Sequence, residues 1–249
     1  MKKIIFATGN QDKMREIHEI LADMDVEVVS MKEAGIHADI VENGSTFEEN
    51  AVIKAKTICE LTGEITLADD SGLEIDYLNK EPGIYSARYM GEDTSYHIKN
   101  ASLIERLNGV PDEKRTARFV CAVAAAFPDG SVKTVRGIME GRIGYEEKGE
   151  NGFGYDPIFY LPEYGCTSAE LSGSTTERLT SHISGSSPSP AMHISPAFFM
   201  YSNSFSSILN FLIDSSSNII FIFLPIIYTV CTNAVHGARV PHHQVHTLL

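Results

Sequence analysis

The chain has 249 residues, of which 43% are hydrophobic and 21% charged, a composition typical of a globular protein with one large domain or two small ones. Its formal net charge of -13 argues against non-specific binding to nucleic acid or to anionic membranes, because both require a basic surface. The four cysteines are widely spaced and form no CxxC pair, which favours reduced thiols over a disulfide framework or a zinc site.

The beginning of the chain predicts a strand, a helix and a second strand. Residues 3–7 form an apolar run too short for a secretory signal, so we interpret it as a buried strand and expect a cytoplasmic protein. After a glycine turn at residues 8–10, the apolar spacing from Ile17 to Met24 predicts a helix with one buried face. Residues 26–29 are typical of a further strand, which completes a βαβ unit and indicates an α/β fold.

The middle of the chain alternates between helical and strand patterns. Residues 46–49, with the sequence TFEE, have the Thr-x-x-Glu form of a capping box and predict the start of a helix. Residues 65–68 predict a short strand that ends in a polar turn, Asp69-Asp70-Ser71-Gly72. Beyond this turn, the pattern predicts one more helix and two long strands, at residues 94–107, 118–127 and 131–143.

The segment ATGNQDK, residues 7–13, is a candidate anion site. A strand that stops at a glycine and leads into a helix leaves several backbone N–H groups near one point, where the helix N-terminus adds partial positive charge. Lys13, one turn into the helix, is placed to reach the same anion. The alternative is a glycine turn followed by a solvated lysine. The turn alone favours this alternative, because short glycine motifs are weak indicators of ligand binding.

The segment ADDSG, residues 68–72, is a candidate metal site. Adjacent Asp69 and Asp70 at the end of a buried strand raise each other's pKa unless a cation compensates, and Mg²⁺ binds one or two carboxylates together with substrate phosphates. Strand ends are also where α/β sheets usually bind ligands. Glu42, in the loop before the second helix, is a further candidate ligand, whereas Glu49 has a structural role in the capping box. A polar turn and a solvated Glu42 are the alternatives.

The segment NGFGYDPIF, residues 151–159, places glycines beside aromatic residues. Such glycines let the backbone approach a flat ligand closely, and Phe153 or Tyr155 is then placed to stack on it. The alternative is a packed loop with an Asp-Pro turn, which the segment taken alone favours.

Considered jointly, these segments resemble one family. The chain is similar to the inosine triphosphate pyrophosphatases, also called XTP/dITP diphosphatases, in five motifs that occur in the family's order and approximate spacing: ATGNQDK, TFEENAVIKA, LADDSGLEID, PGIYSARY and GFGYDPIFYLP. The resemblance covers residues 1–172. Each motif is weak alone, whereas the five together are highly specific.

The resemblance implies an α/β protein with a long mixed central sheet, flanking helices and two lobes around an active-site cleft. It also implies a homodimer that uses Mg²⁺ to hydrolyse non-standard purine nucleoside triphosphates (ITP, dITP and XTP) to the monophosphate and pyrophosphate. Under this resemblance Glu42 and Asp70 hold the metal, Asp70 is also the general base for the attacking water, and Asp69 supports the site. The implied substrate contacts are Thr8, Gly9, Asn10, Gln11, Asp12 and Lys13 at the triphosphate, Ser71, and Phe153, Gly154, Tyr155 and Asp156 at the base.

The chain departs from the family pattern after Ser172. Where the family continues with a lysine and then Ser-His-Arg-Gly, this chain has Thr176, and His182 is followed by Ile183 rather than arginine. Residues 173–249 contain no lysine, and their longest apolar run is shorter than the ~20 residues of a membrane-spanning helix. We therefore expect a pyrophosphatase core at residues 1–172 and an atypical tail, frameshifted or disordered, at residues 173–249.

This departure leaves three functional hypotheses. The favoured one is an active pyrophosphatase, and the second is a nucleotide-binding protein whose catalysis is impaired because the lysine and Ser-His-Arg clamp on the base is absent. The third is a membrane-tethered variant, which the short apolar run disfavours. The frameshift hypothesis has its own test, because a one-base shift in the nucleotide sequence must then restore the lysine and Ser-His-Arg-Gly.

Overall fold

A computed structural model describes residues 2–21 and 25–171, which form a seven-stranded sheet with helices packed against it. The strands are β1 (Lys2–Phe6), β2 (Val26–Ser30), β3 (Ile65–Ile75), β4 (Thr116–Ala126), β5 (Val132–Ile143), β6 (Phe159–Leu161) and β7 (Cys166–Thr167). The helices longer than one turn are α1 (Gln11–Leu21), α2 (Phe47–Thr62) and α3 (Tyr96–Arg106). The predicted tail at residues 173–249 lies outside the described residues.

The sheet is mixed, with strand order β2-β1-β3-β4-β5-β6-β7. β1 is parallel to both β2 and β3, and every later neighbour is antiparallel. The parallel pairing of β1 with β2 requires a crossover, which α1 supplies, so the predicted βαβ opening is present. The predicted α/β class, with a mixed sheet and flanking helices, is confirmed. None of the helices in the described part of the chain is long and apolar enough to cross a membrane.

The N-terminus of α2 is capped as its sequence predicts, except that the Glu49 carboxylate accepts from a different backbone N–H group than in a standard capping box. Oγ1 of Thr46 accepts a hydrogen bond from the backbone N–H of Glu49 at 3.1 Å. The Glu49 carboxylate reaches back one residue further than a standard capping box, to the backbone N–H of Ser45 at 2.6 Å. Because both groups satisfy otherwise unpaired N–H groups, Glu49 has the structural role that the sequence indicates.

The prediction of a polar turn after residue 68 is wrong, because β3 continues without a break to Ile75. It pairs with β4 from Thr66 opposite Ala126 to Ile75 opposite Ala117. The pairing with β4 and the partners of its polar side chains stabilise the extended conformation, although Asp, Ser and Gly ordinarily favour turns. Asp69 and Asp70 therefore lie in the middle of a strand rather than at its end.

Three hydrophobic cores position this part of β3. α1 covers a core on one face of the sheet that includes Leu67, and α2 covers a core on the other face that includes Ala68. A third core begins at Leu73 and packs under α3, toward the opposite end of the long strands. Residues 69–72 thus lie between the two cores under α1 and α2 and the third core under α3.

Candidate active site

The side chains of Asp69 and Asp70 point to opposite faces of the sheet, since consecutive residues of a strand alternate. Nζ of Lys13, on α1, lies 2.5 Å from Oδ2 of Asp69. On the other face, Nδ2 of Asn50, on α2, donates a hydrogen bond to Oδ2 of Asp70 at 2.9 Å. The adjacent aspartates of the sequence therefore belong to two separate clusters.

The Asp70 cluster brings together the two carboxylates that the sequence predicts as metal ligands. Asp70 is only 9% exposed, and Asn50 is fully buried beside it. Nζ of Lys54 lies 2.9 Å from Oε2 of Glu42 and 3.8 Å from Oδ1 of Asp70. Since one ammonium contacts both groups, Glu42 and Asp70 converge on a single position for a cation.

The environment of Asp70 raises the pKa of its carboxyl above the usual value. Burial is the largest cause, and the negative charges of Glu42 and Asp69 add to it. The Lys54 ammonium and the hydrogen bond from Asn50 oppose the rise, since both favour the charged form. An aspartate with a raised pKa accepts a proton more readily than an ordinary one, which suits it to act as a general base.

The donor set of this cluster fits a magnesium ion. Mg²⁺ prefers oxygen ligands and is usually bound through one or two carboxylates, with water and substrate phosphates completing its coordination. Glu42 and Asp70 supply two such carboxylates at one position. Within the described residues no group of three or more His, Cys, Asp or Glu side chains forms a complete protein cage, and Mg²⁺ does not require one.

The Asp69 cluster holds Lys13 in place on the other face. Asp69 is 2% exposed, and its carboxylate also accepts a hydrogen bond from Oγ of Ser71 at 2.9 Å. Burial by itself lowers the pKa of Lys13, but the Asp69 carboxylate outweighs this effect and raises the pKa. Lys13 is therefore a fixed positive charge beside the first turn of α1.

The first turn of α1 has the geometry of an open anion site. Oδ1 of Asn10 accepts a hydrogen bond from the Lys13 backbone N–H at 3.2 Å, and Oγ1 of Thr8 accepts one from the Asn10 N–H at 3.1 Å. Gly9 and Gln11 are exposed, and a Cβ atom at Gly9 would meet nothing within 4 Å. Asp12 belongs to this turn, and its side chain lies outside the described part. The predicted triphosphate segment is thus accessible to a ligand.

The glycine loop, residues 151–156, is anchored by Asp156. This residue is 4% exposed, and its carboxylate accepts hydrogen bonds from the Phe153 backbone N–H at 2.9 Å and from Oγ of Ser168 at 2.8 Å. Burial raises the pKa of Asp156 to about 6, although both hydrogen bonds oppose the rise. Gly152 has φ +74°, and a Cβ there would lie 2.2 Å from the Asp156 carboxylate, so only glycine fits this turn.

Tyr155 and Asp156 lie beneath the loop, whereas Phe153 and Gly154 are half-exposed. The Tyr155 hydroxyl donates a hydrogen bond to the Ser86 carbonyl oxygen at 2.8 Å. Of the four residues predicted to line the base pocket, Phe153 and Gly154 are therefore the two that a ligand can reach directly. The role of the loop in binding the base stays a prediction.

Sequence reasoning missed Asn50 and Lys54 as members of the site. Both lie on α2 four residues apart, which places them on the same helix face. Asn50 interrupts the apolar positions Phe47, Ala51 and Ala55, and a polar residue in such a stripe is the signal that could have identified it. The motif TFEENAVIKA contains both residues, but its capping box and apolar spacing indicate only a helix.

The fold and site are those of an α/β protein in which a strand carries a carboxylate cluster on each face, beside an open helix N-terminus that is a candidate anion site. The chain belongs to the Ham1 family, whose profile matches residues 4–184. The match continues past residue 172, into the segment where the clamp residues differ. Membership in the family that the five motifs indicate is therefore confirmed.

Known relatives agree with this assignment over most of their length. The chain is 49% identical over 172 residues to the dITP/XTP pyrophosphatase of Exiguobacterium sibiricum, which covers 69% of this chain and 87% of that protein. It is 47% identical over 180 residues to the dITP/XTP pyrophosphatase of Bacillus licheniformis, with 72% and 92% covered. The solved Ham1 protein of Staphylococcus aureus superimposes with a TM-score of 0.70 at 35% identity, covering 86% of this chain and all of that one.

Proposed function

We propose that the chain is a Mg²⁺-dependent pyrophosphatase that hydrolyses ITP, dITP and XTP to the monophosphate and pyrophosphate. The observation that carries the proposal is the convergence of Asn50 and Lys54 on the buried Asp70 carboxylate, with Glu42 paired to the same Lys54 ammonium. The names of the relatives from Exiguobacterium sibiricum and Bacillus licheniformis support the substrate class.

The residues of the candidate site divide the work of the proposed reaction among triphosphate binding, base stacking and proton transfer. The N–H groups of the first turn of α1 and the Lys13 ammonium bind the triphosphate, while Phe153 stacks on the base. Asp70 takes a proton from water as the water oxygen bonds to the α-phosphorus, and the bond from this phosphorus to the bridging oxygen breaks to release pyrophosphate. Glu42 and Asp70 would hold Mg²⁺, which when bound would supply positive charge next to the phosphates.

The test is release of pyrophosphate from ITP, XTP and GTP by the full chain, with and without Mg²⁺. Asp70→Asn removes the proposed base, while Asp129→Asn makes the same chemical change in the exposed turn after β4. We expect Mg²⁺-dependent release that prefers ITP and XTP, is lost in Asp70→Asn and persists in Asp129→Asn. Equal release by both variants would contradict the proposal.

The nucleotide-binding alternative is a separate outcome of the same experiment. It is favoured by Thr176 and by Ile183 after His182, where the family has a lysine and an arginine that read the base. Losing a charged hydrogen bond to the base weakens binding by about 1.5–3 kcal/mol. ITP that binds by calorimetry and is not hydrolysed at any Mg²⁺ concentration would establish this alternative.

We further propose that the chain acts as a homodimer in the cytoplasm. The family resemblance supports the dimer, and the cysteine pattern supports a reducing compartment. Sedimentation equilibrium of the full chain tests the assembly, since a single monomeric species at micromolar concentration would contradict it.

A further inference from the structure

Ser86 connects β3 to the glycine loop through both its side chain and its backbone. Oγ of Ser86 accepts a hydrogen bond from the backbone N–H of Leu73 at 2.9 Å, three residues after Asp70 in the same strand, and donates one to the Gly83 carbonyl oxygen at 2.7 Å. The Ser86 carbonyl oxygen accepts the hydrogen bond from the Tyr155 hydroxyl at 2.8 Å. Ser86 is 5% exposed, so water competes little for the bonds to Leu73 and Tyr155.

The segment 80–86 follows the edge of β3 beyond the point where β1 ends. β1 pairs with β3 only at Ile65–Leu67, so the backbone groups further along this edge need other partners. Those of Ile75 bond to the beginning of the segment, and the N–H of Leu73 bonds to Ser86 at its end. Ser86 therefore satisfies a backbone donor of the strand that carries the proposed general base.

Gly72 lets this segment lie directly on the face of β3 that carries Asp70. The two residues point to the same face, because side chains alternate along a strand. A Cβ atom at Gly72 would lie 2.5 Å from the Gly83 carbonyl oxygen, 2.5 Å from Oγ of Ser86 and 2.9 Å from Cε1 of Phe47 on α2. The strand, the segment 80–86 and the first turn of α2 are therefore in close contact two residues from Asp70.

Two buried side chains of α3 hold the other side of the connection. Nζ of Lys99 donates a hydrogen bond to the Ala87 carbonyl oxygen at 2.6 Å, directly after Ser86. Nδ2 of Asn100 donates one to the Gly154 carbonyl oxygen at 3.2 Å, in the glycine loop. Lys99 and Asn100 are each 1% exposed. The helix thus fixes both the segment that contains Ser86 and the loop to which Ser86 is bonded.

We propose that Ser86 is a positioning residue that fixes the distance between the glycine loop and the carboxylate cluster around Asp70. The inference deepens the proposed function and rests on it, because it assumes that the base binds at the glycine loop while the phosphates bind near Asp70. A ligand that spans both places gains affinity from a distance that is set before it binds. A ligand that occupies only the phosphate region does not depend on this distance.

The test compares two ligands by calorimetry on the full chain in the presence of Mg²⁺. α,β-Methylene ITP spans both places and has a carbon atom in place of the bridging oxygen that the proposed reaction releases, whereas inorganic tripolyphosphate carries the phosphate chain alone. Ser86→Ala removes the bond to Leu73, and Tyr155→Phe removes the bond to the Ser86 carbonyl oxygen and keeps the ring. We expect each variant to weaken binding of the ITP analogue about tenfold and to change tripolyphosphate affinity less than about twofold.

Thr66→Val is the matched control, because it removes another buried hydroxyl from β3, one that bonds to the Glu64 carbonyl oxygen. It should leave the affinity for both ligands unchanged. Since Ser86→Ala and Tyr155→Phe break the same connection, their losses should not multiply in the double variant. Equal losses for the two ligands, losses that multiply, or unchanged affinity for the ITP analogue would each overturn the inference.

Hydrolysis of ITP is measured separately, so that the two proposals can fail independently. Binding of the analogue without hydrolysis of ITP would refute the proposed catalysis, and the affinities of the variants would still decide the role of Ser86. Hydrolysis of ITP by the unmodified chain, together with equal losses for the two ligands in Ser86→Ala, would support the proposed function and refute the positioning role.

Discussion

Asn50 connects the loop before α2 to the carboxylate of Asp70. Its Nδ2 donates to Oδ2 of Asp70 at 2.9 Å, while its Oδ1 accepts from the backbone N–H of Gly44 at 2.9 Å. A buried amide that uses both ends in this way fixes the orientation of the carboxylate and the path of the chain together. Glu42 lies in the same loop, so Asn50 also helps to hold the second proposed metal ligand in position.

Asn50→Ala is expected to lower both stability and activity. The buried Asp70 carboxylate loses a partner, which costs about 1–3 kcal/mol, and the partly buried Gly44 N–H loses one at a smaller cost. Asp70 also loses a donor that favours its charged form, so its pKa rises further and the acid limb of the pH–rate profile moves to higher pH. Chemical denaturation and the pH dependence of kcat/KM measure the two effects. Asn108→Ala, at an exposed position, is the control, and an unshifted acid limb in Asn50→Ala would contradict the assignment of Asp70 as base.

Glu42→Gln is expected to weaken the use of Mg²⁺ more than the binding of nucleotide. Removing one of two converging carboxylates should raise the Mg²⁺ concentration for half-maximal activity by at least about tenfold, because the amide oxygen carries no charge. The measurement is activity against Mg²⁺ at saturating ITP, after the metal has been removed with EDTA. Glu49→Gln, which alters only the helix cap, should leave this concentration unchanged. Indistinguishable curves for the two variants would refute Glu42 as a ligand.

Asp156 is expected to make the protein less stable as pH rises from about 4 to about 6. Its pKa of about 6 in the folded state exceeds the value of ~3.9 in an unfolded chain, so folding favours the protonated carboxyl. The resulting stabilisation is complete below pH ~4 and is lost as pH rises through 6, an effect on the order of 3 kcal/mol.

Asp156→Asn removes this proton uptake and therefore this part of the pH dependence. The free energy of unfolding, from urea denaturation at several pH values, should fall less between pH 4 and 7 in the variant than in the unmodified chain. Parallel pH profiles for the two proteins would show that Asp156 has an ordinary pKa.

Replacing Arg115, even by lysine, is expected to lower the stability of the fold. It is 1% exposed, and its guanidinium donates to three backbone carbonyl oxygens, those of Leu107, Ile143 and Gly144, at 2.6–2.8 Å. A lysine ammonium cannot reproduce this planar fork, so Arg115→Lys should lower the free energy of unfolding by about 3 kcal/mol. Arg142→Lys, at a partly exposed ion pair, should cost less than about 1 kcal/mol. A thermal melt that shifts equally in both variants would contradict this role of Arg115.

The sequence correctly predicts the features of the fold that depend on side chains close together in the chain. The cap at Thr46 and the apolar face of α2 follow from side chains three and four residues apart, and the structure has both. The break predicted after residue 68 was wrong because the conformation of Asp69-Asp70-Ser71 depends on β4, which lies about fifty residues further along the chain. Propensity in a strand reflects its neighbours more than its own residues.

The composition of the candidate site was harder to predict for the same reason. Lys13 and Asp69 are 56 positions apart, and their contact requires that α1 pack on one face of a strand which the sequence did not show to be continuous. Neither the pairing of Lys13 with Asp69 nor that of Asn50 with Asp70 has a local signature. The five motifs nevertheless identified the segments, because four of them supply residues to one of the two clusters or to the glycine loop, and Ser86 of the fifth accepts a hydrogen bond from Tyr155 of that loop.

Because side chains alternate between the faces of the sheet along β3, each cluster depends on which residue occupies which position of the strand. If β3 slid by one position so that Asp70 took the place of Asp69, both aspartates would change faces: Lys13 would face Asp70, and Lys54 would face Ser71 instead of a carboxylate. Deleting a single residue between Thr66 and Asp69 would have this effect, whereas deleting two would restore the facing of each aspartate but move both about 7 Å along the strand, away from Lys13 and Asn50. The chemistry on each face is therefore tied both to an odd or even position in β3 and to the register of β3 with β4.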